Sequence, residues 1–118
     1  MEDSKRKLTV GIIRQTGKIE IKEIEADLKP MQDIVGGLIE IVRDVAPDTD
    51  MVVDEEGLFK DYAVNPFASL IAGQTIVGDV FLTGKPDSEG ESTNISSKVA
   101  SFLMQMQNDT NPTTVYYV

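Results

Sequence analysis

The hydrophobic pattern changes its period several times along the chain. Residues 7–14 are rich in β-branched residues, and in residues 18–24 Ile19 and Ile21 alternate with charged side chains. A period of two is typical of a half-buried strand. Because Gly17 lies between the two runs, a tight hairpin is the economical connection.

Two segments carry the apolar spacing of an amphipathic helix. The first, at about 28–35, ends before Gly36, which takes a positive φ without a Cβ penalty. The second, at about 94–107, repeats its apolar stripe over its whole length. The apolar positions are Leu28, Met31 and Val35 in the first helix, and Ile95, Val99, Phe102, Leu103 and Met106 in the second.

The middle of the chain predicts further strands. Residues 38–42 read as a buried strand and residues 51–53 as a shorter one, and together they form a second hairpin. Gly78 interrupts a later strand and indicates a bulge or the close approach of another backbone. The other strand-like runs are 58–64, which is weakly extended, 75–84, and 113–118.

Asn65 begins a motif with two interpretations. Asn followed by Pro66 is a common helix start, which predicts one or two helical turns over 67–71 with Asn65 as the N-cap. Alternatively, Asn65 presents its amide to a ligand beside Tyr62 and Phe67. The N-cap interpretation is favoured, and the sequence leaves both open.

These elements predict an α+β protein with a mostly antiparallel sheet of about five or six strands and two main helices, because the apolar stripe of each helix needs a sheet face to cover it. The chain has 118 residues, of which 41% are hydrophobic. This is the size of one domain, so we expect residues 1–118 to form a single domain. Residues 85–93 are polar and predict a mobile loop within that domain.

Composition narrows the chemistry. The chain has no Cys, His or Trp, so disulfides, thiolate catalysis and histidine general bases are excluded. We therefore expect no enzyme activity and no cofactor. A net charge of −9 opposes direct binding to nucleic acid and to anionic membranes. No run has the length of a membrane span or the form of a signal peptide, so we expect a cytoplasmic protein.

The acidic cluster at residues 48–56 lacks the spacing of an EF-hand, so we expect no metal site. Glu40 and Asp79 are a conceivable carboxylate pair, but nothing in the sequence brings them together. Four glycines are predicted to be structural: Gly36, Gly37, Gly57 and Gly78. The candidate residues for binding a ligand or partner are Lys60, Tyr62, Asn65, Phe67 and Tyr117.

Four short motifs resemble an uncharacterised family. They are Val35-Gly36-Gly37-Leu38-Ile39-Glu40, Asp54-Glu55-Glu56-Gly57, Asn65-Pro66-Phe67-Ala68 and Ile76-Val77-Gly78-Asp79-Val80. In this order they resemble the domain of unknown function 3846 family of bacteriophages and mobile elements, over about residues 8–84. In the family pattern an Asn usually stands at the position of Asp54. The resemblance implies an accessory protein in the cytoplasm of a host bacterial cell, without an assigned activity.

Three functions fit these observations, in decreasing order of preference. The first is a non-catalytic protein-binding module that interferes with a host enzyme or defence system. The second is a protein that sequesters a small nucleotide-like signal, with Lys60, Lys85 and Lys98 as the cations most available for phosphates. The third is a hydrolase that uses two carboxylates. Homodimerisation through an edge strand or the C-terminal tyrosines is compatible with the sequence.

Overall fold

A computed structural model describes residues 6–109 of the chain. Within this range it contains five strands, three α-helices and one 3-10 turn. The strands are β1 (Lys7–Ile13), β2 (Ile19–Glu25), β3 (Ile39–Ala46), β4 (Thr49–Asp54) and β5 (Val80–Gly84). The helices are α1 (Leu28–Val35), α2 (Pro66–Ala72) and α3 (Ser97–Asp109), and the 3-10 turn is Gly57–Phe59. The predicted strand at 113–118 lies outside the described residues.

The strands form one antiparallel sheet in the order β2-β1-β5-β4-β3. The two predicted hairpins, β1 with β2 and β3 with β4, are confirmed. The late strand β5 lies between them, where Ile12 pairs with Phe81 on one side and Val52 pairs with Phe81 on the other. The α+β class and the mostly antiparallel sheet are therefore confirmed.

Each face of the sheet has its own apolar core. Helix α1 covers one face, and helices α2 and α3 cover the other. Buried residues of the α1 face are Leu8, Val10, Ile12, Val35, Val52 and Phe81. Buried residues of the opposite face are Ile13, Ile19, Met51, Val53, Ala68, Ile76, Val80, Leu82, Ile95 and Leu103. The alternation of side chains along each strand divides the apolar residues between the two cores. None of the helices in residues 6–109 is long and apolar enough to cross a membrane.

Two predicted extended segments are corrected. The strand predicted at 75–84 begins only at Val80, because Gly78 takes φ +77° and turns the backbone out of the strand conformation. The weakly extended segment predicted at 58–64 instead opens with the 3-10 turn. The N–H groups of Phe59 and Lys60 donate to the carbonyls of Glu56 and Gly57, which closes the chain into a turn.

Helix α3 begins later than the predicted residue 94, because Asn94 and Ile95 hydrogen-bond to Thr9 of strand β1. Strand β5 pairs with β1 only from Gly11 onward. The Thr9 N–H donates to Oδ1 of Asn94, and the Ile95 N–H donates to the Thr9 carbonyl.

Residues 85–93 form the predicted loop, with the Asp87 carboxylate accepting hydrogen bonds from two backbone N–H groups within it. Its mobility stays a prediction.

The end of α3 contacts the edge strand β2. Oε1 of Gln107 accepts a hydrogen bond from the Ile19 N–H, and its Nε2 donates to the Gly17 carbonyl. The side-chain amide of Gln107 therefore pairs with one backbone donor and one backbone acceptor at the start of β2.

Asn65 joins three parts of the fold. Its Oδ1 accepts from the Ala68 N–H at 3.1 Å, which confirms the predicted N-cap of α2. Its Nδ2 donates to the carbonyls of Ile13 at 2.9 Å and Gly78 at 2.8 Å. The side chain is fully buried, so the amide has no surface left for a ligand. The alternative role of Asn65 as a ligand-binding residue is therefore wrong.

We expect Asn65→Ala to lower the free energy of unfolding by about 3 kcal/mol, because it removes the cap and leaves two buried carbonyls without their donor. Asn65→Ser, which keeps a capping oxygen, should lose less. Urea unfolding measures both. Ser96→Ala is the control, since Ser96 caps the exposed start of α3 through the Val99 N–H and should cost about 1 kcal/mol. Equal losses for Asn65→Ala and Ser96→Ala would contradict the joining role.

Candidate functional site

A buried carboxylate lies at the end of β4. The side chain of Asp54 is only 2% exposed. Its Oδ2 accepts hydrogen bonds from Nζ of Lys60 and from the hydroxyl of Tyr62, both at 2.7 Å. Its Oδ1 accepts from the Glu56 N–H at 2.8 Å. We call Asp54, Lys60 and Tyr62 the Asp54 cluster.

The cluster fixes the protonation state of its members. Burial alone would raise the pKa of Asp54, but hydrogen bonds from Lys60, Tyr62 and the Glu56 N–H outweigh it and hold the pKa below its ordinary value. The hydrogen bond to Asp54 raises the pKa of Lys60. The same carboxylate, followed by burial, raises the pKa of Tyr62. At neutral pH the cluster is therefore a carboxylate, an ammonium and a neutral phenol.

The ammonium and the phenol also contact the end of α1. Nζ of Lys60 donates to the Gly36 carbonyl at 3.2 Å and lies 5.7 Å from the ring centre of Tyr62. The Tyr62 hydroxyl lies 3.3 Å from the Val35 carbonyl, but its one proton serves the shorter contact with Asp54. The cluster thus connects β4 to the C-terminus of α1.

The four glycines predicted to be structural surround this cluster. Gly36 caps α1 with φ +92°, and a Cβ there would lie 2.6 Å from the Tyr62 hydroxyl. A Cβ at Gly37 would lie 2.7 Å from Nζ of Lys60, and one at Gly78 would lie 2.7 Å from Cδ2 of Tyr62. A Cβ at Gly57 would lie 3.2 Å from Cγ2 of Val77 and 3.6 Å from Cδ2 of Tyr62. At Gly36, Gly37 and Gly78 the cluster therefore occupies the space that a side chain would need.

Asp54 holds both ends of a turn, which we call the Phe59 turn (residues 55–61). Oδ1 binds the Glu56 N–H on the near side, and Oδ2 binds Lys60 on the far side. Between these anchors the side chains of Leu58 and Phe59 are 74% and 90% exposed. The turn therefore holds two large apolar side chains in water on a fixed backbone.

Two open clefts lie on either side of the end of α1. The first has a volume of about 480 Å³ and includes Gly36, Glu56 and Lys60 in its wall. The second has a volume of about 250 Å³ and includes Arg14 and Tyr62. Every cation in these walls has an acidic partner: Lys60 pairs with Asp54, Lys29 with Asp33, and Arg14 with Glu20 and Asp79. The clefts therefore offer little unneutralised positive charge to a phosphate.

The structure brings together only part of the predicted binding set. Lys60 and Tyr62 meet at Asp54. Phe67 lies half-buried on α2 and packs against the core, whereas Tyr117 lies outside the described residues.

Glu40 and Asp79, the conceivable carboxylate pair, line different clefts. Glu40 lines a cleft of about 160 Å³ next to Asp54. Asp79 lines the cleft of about 250 Å³ that includes Tyr62, where its carboxylate accepts hydrogen bonds from Arg14 and from the Gln15 N–H. Residues 6–109 contain no group of three acidic side chains placed to hold a metal ion.

Sequence reasoning missed the central role of Asp54 and the exposure of Leu58 and Phe59. Asp54 looked like one member of an acidic run, although a Lys and a Tyr follow it six and eight residues later. Two consecutive large apolar residues between charged ones were a further signal, because they interrupt a polar segment without a strand or helix period.

We expect Asp54→Asn to destabilise the fold by about 2 kcal/mol at pH 7, because the amide replaces one of the two accepting oxygens with an NH2 group that faces a donor, and because the Lys60 ammonium loses its counter-ion. The folded-state pKa of Asp54 lies below its unfolded value of about 3.8, so its contribution is complete above that pH. The contribution is lost as pH falls through the folded-state pKa.

Urea unfolding from pH 6 down to pH 3 should therefore show the difference between wild type and Asp54→Asn shrinking. Asp48→Asn is the matched control. Its carboxylate is 74% exposed and pairs with Lys85 at 3.4 Å, so its loss should change stability by less than about 0.5 kcal/mol. A difference that grows on acidification would rule out a stabilising Asp54 carboxylate.

Comparison with known proteins gives one structural likeness. A crystal structure of the small RNA methyltransferase HEN1 superposes with a TM-score of 0.59 at 15% sequence identity. The superposition covers 86% of this chain but only 16% of the methyltransferase chain. At this identity the likeness concerns the fold alone. No curated protein matches the sequence.

The sequence pattern of one family covers most of the chain. The family Domain of unknown function (DUF3846) matches residues 8–108, which include all four motifs and extend through most of α3. The chain belongs to the domain of unknown function 3846 family.

Proposed function

We propose that this protein is a non-catalytic protein-binding module and that the Phe59 turn is its contact surface. The observation that carries the proposal is the exposure of Leu58 and Phe59 on a turn that Asp54 binds through the Glu56 N–H and the Lys60 side chain, and that its own 3-10 hydrogen bonds close. An aromatic side chain has only two side-chain torsions, so on a backbone that is already held it loses little conformational entropy when a partner covers it. Such residues are typical anchors of protein interfaces.

The surroundings of the turn define the partner. Glu55, Glu56 and Asp61 are exposed around the two apolar side chains, and the cation within the turn, Lys60, is neutralised by Asp54. The exposed Leu38 adjoins the turn, because its carbonyl accepts from the Glu55 N–H. An apolar centre within an acidic rim complements an apolar pocket in a basic protein surface. We therefore propose a basic host protein as the partner.

The chemistry of the Asp54 cluster supports a non-catalytic role. The raised pKa of Lys60 keeps it an ammonium, and the raised pKa of Tyr62 keeps it a phenol, so neither is a nucleophile or base at neutral pH. The carboxylate of Asp54 already accepts three hydrogen bonds. The cluster is therefore built to hold the turn.

The biological setting of the proposal follows from the family resemblance. In a phage or mobile element, a small acidic protein that covers a basic surface would block the host enzyme or defence protein that uses this surface. Its place of action would be the cytoplasm of the host bacterium.

Site-specific photo-crosslinking tests the contact surface. A photoreactive phenylalanine derivative at position 59 should crosslink a host protein in bacterial lysate, whereas the same group at position 70 should not. Leu70 is the matched control, because it is a large apolar residue that is 74% exposed but lies on α2, away from the acidic turn. Equal crosslinking at both positions, or none at position 59, would refute the proposal.

The double variant Leu58→Ser/Phe59→Ser should weaken binding of the crosslinked partner by about a hundredfold, because it removes two interface anchors. Leu70→Ser should leave the affinity unchanged. Both sets of substitutions should change stability by less than about 0.5 kcal/mol per site, since the side chains are exposed. Calorimetry with the purified partner measures the affinity, and thermal unfolding confirms that the variants fold.

The affinity of the wild-type protein should fall by about tenfold between 50 mM and 500 mM salt, because the acidic rim and a basic partner attract each other through water. Replacing Glu55 and Glu56 with Gln should reduce this dependence. An affinity that is independent of salt would mean that the rim does not face the partner.

A further inference from the structure

Another cleft lies on the opposite side of the sheet from α1. Helices α2 and α3 share this face, and the gap between them has a volume of about 360 Å³. Its wall consists of six apolar residues and one cation. They are Ala46, Pro47, Ile71, Leu82, Val99 and Phe102, with Lys98.

Lys98 is the unusual member of this wall. Of the three lysines predicted to be available for an anion, Lys60 pairs with Asp54 and Lys85 pairs with Asp48. Lys98 is exposed, and no described residue between 6 and 109 forms an ion pair with it. It lies in the first turn of the 13-residue helix α3, where the helix dipole also favours negative charge. The cleft thus combines an apolar interior with uncompensated positive charge.

We propose that this cleft binds a small molecule with an aliphatic body and a single carboxylate. The aliphatic body would lie between Ile71 and Phe102 above Leu82, and the carboxylate would accept a charge-assisted hydrogen bond from Lys98. The volume lies at the lower end of the range of small-ligand sites, which limits the ligand to a short or medium chain. With one cation in the wall, the site matches one negative charge and not a polyphosphate.

The walls are suited to binding with little rearrangement. Leu82 is 2% exposed and belongs to the central strand β5, so the floor of the cleft is part of the sheet. Val99 packs against the same core from α3, and Ile71 packs against it from α2. Pro47, Lys98 and Phe102 are exposed, and covering the Phe102 ring, which is 53% exposed, would contribute apolar burial.

Titration with octanoate tests the proposal, using the full chain labelled at its methyl groups. Methyl NMR signals of Ile71, Leu82 and Val99 should shift in a saturable way, with a Kd of about 1 mM or below. Octan-1-ol and octylammonium have the same body without the carboxylate, and we expect each to bind at least tenfold more weakly.

Substitutions separate the roles of charge and shape. Lys98→Gln should weaken octanoate binding by about tenfold, because it removes the cation but keeps most of the side-chain stem. Lys29→Gln makes the same charge change on α1, across the sheet, and should leave binding unchanged. Phe102→Ala should weaken octanoate and octan-1-ol alike. The Leu58→Ser/Phe59→Ser variant should bind octanoate normally, so this inference can fail or succeed independently of the protein interface.

Several results would overturn the proposal. One is the absence of saturable shifts at the three methyl-bearing residues. Another is octan-1-ol binding as tightly as octanoate, which would make the site a non-selective apolar surface. Shifts of the same methyl signals with protein concentration alone would show that a second copy of the chain occupies the cleft. Equal weakening by Lys98→Gln and Lys29→Gln would show that only net charge matters.

Discussion

The side chain of Asp54 is a carboxylate withdrawn from water, and the surrounding structure compensates that cost. A buried anion without partners would take up a proton or destabilise the fold. Here an ammonium, a phenol and a backbone N–H supply its hydrogen bonds. These contacts bring together the end of α1, the end of β4 and the Phe59 turn. The glycines around Tyr62 then follow from the space that the compensating groups need.

The rigid centre and the exposed features lie next to each other. Leu58 and Phe59 protrude from a turn in which the Glu56 N–H and the Lys60 side chain bind the same carboxylate. The two exposed apolar side chains therefore stand on a supported turn. On the other face of the sheet, the gap between α2 and α3 has the core residue Leu82 as its floor. In both places a supported backbone presents an apolar surface. We infer that the neighbouring charges determine which partner or ligand binds there.

The sequence predicted the elements with strong periodicity better than it predicted the site. Helix α1 has the predicted bounds, and the two hairpins have the predicted pairing, because their apolar spacing and turn glycines act locally. The error at the start of α3 arose from contacts with the distant Thr9, whereas the strand start was misplaced because Gly78 takes a positive φ. The Asp54 cluster joins residues that are close in sequence, yet its burial depends on Gly36 and Gly78, which only the folded chain brings near. Burial of a charge cannot be inferred from an acidic run alone.

The contact between Gln107 and β2 also covers part of a sheet edge. An exposed sheet edge presents backbone donors and acceptors on which strands of other molecules can add, as in amyloid growth. The Gln107 amide already occupies the Ile19 N–H and the Gly17 carbonyl, so an incoming strand would have to displace it before pairing there. Helix α3 therefore covers the beginning of the β2 edge as well as the core.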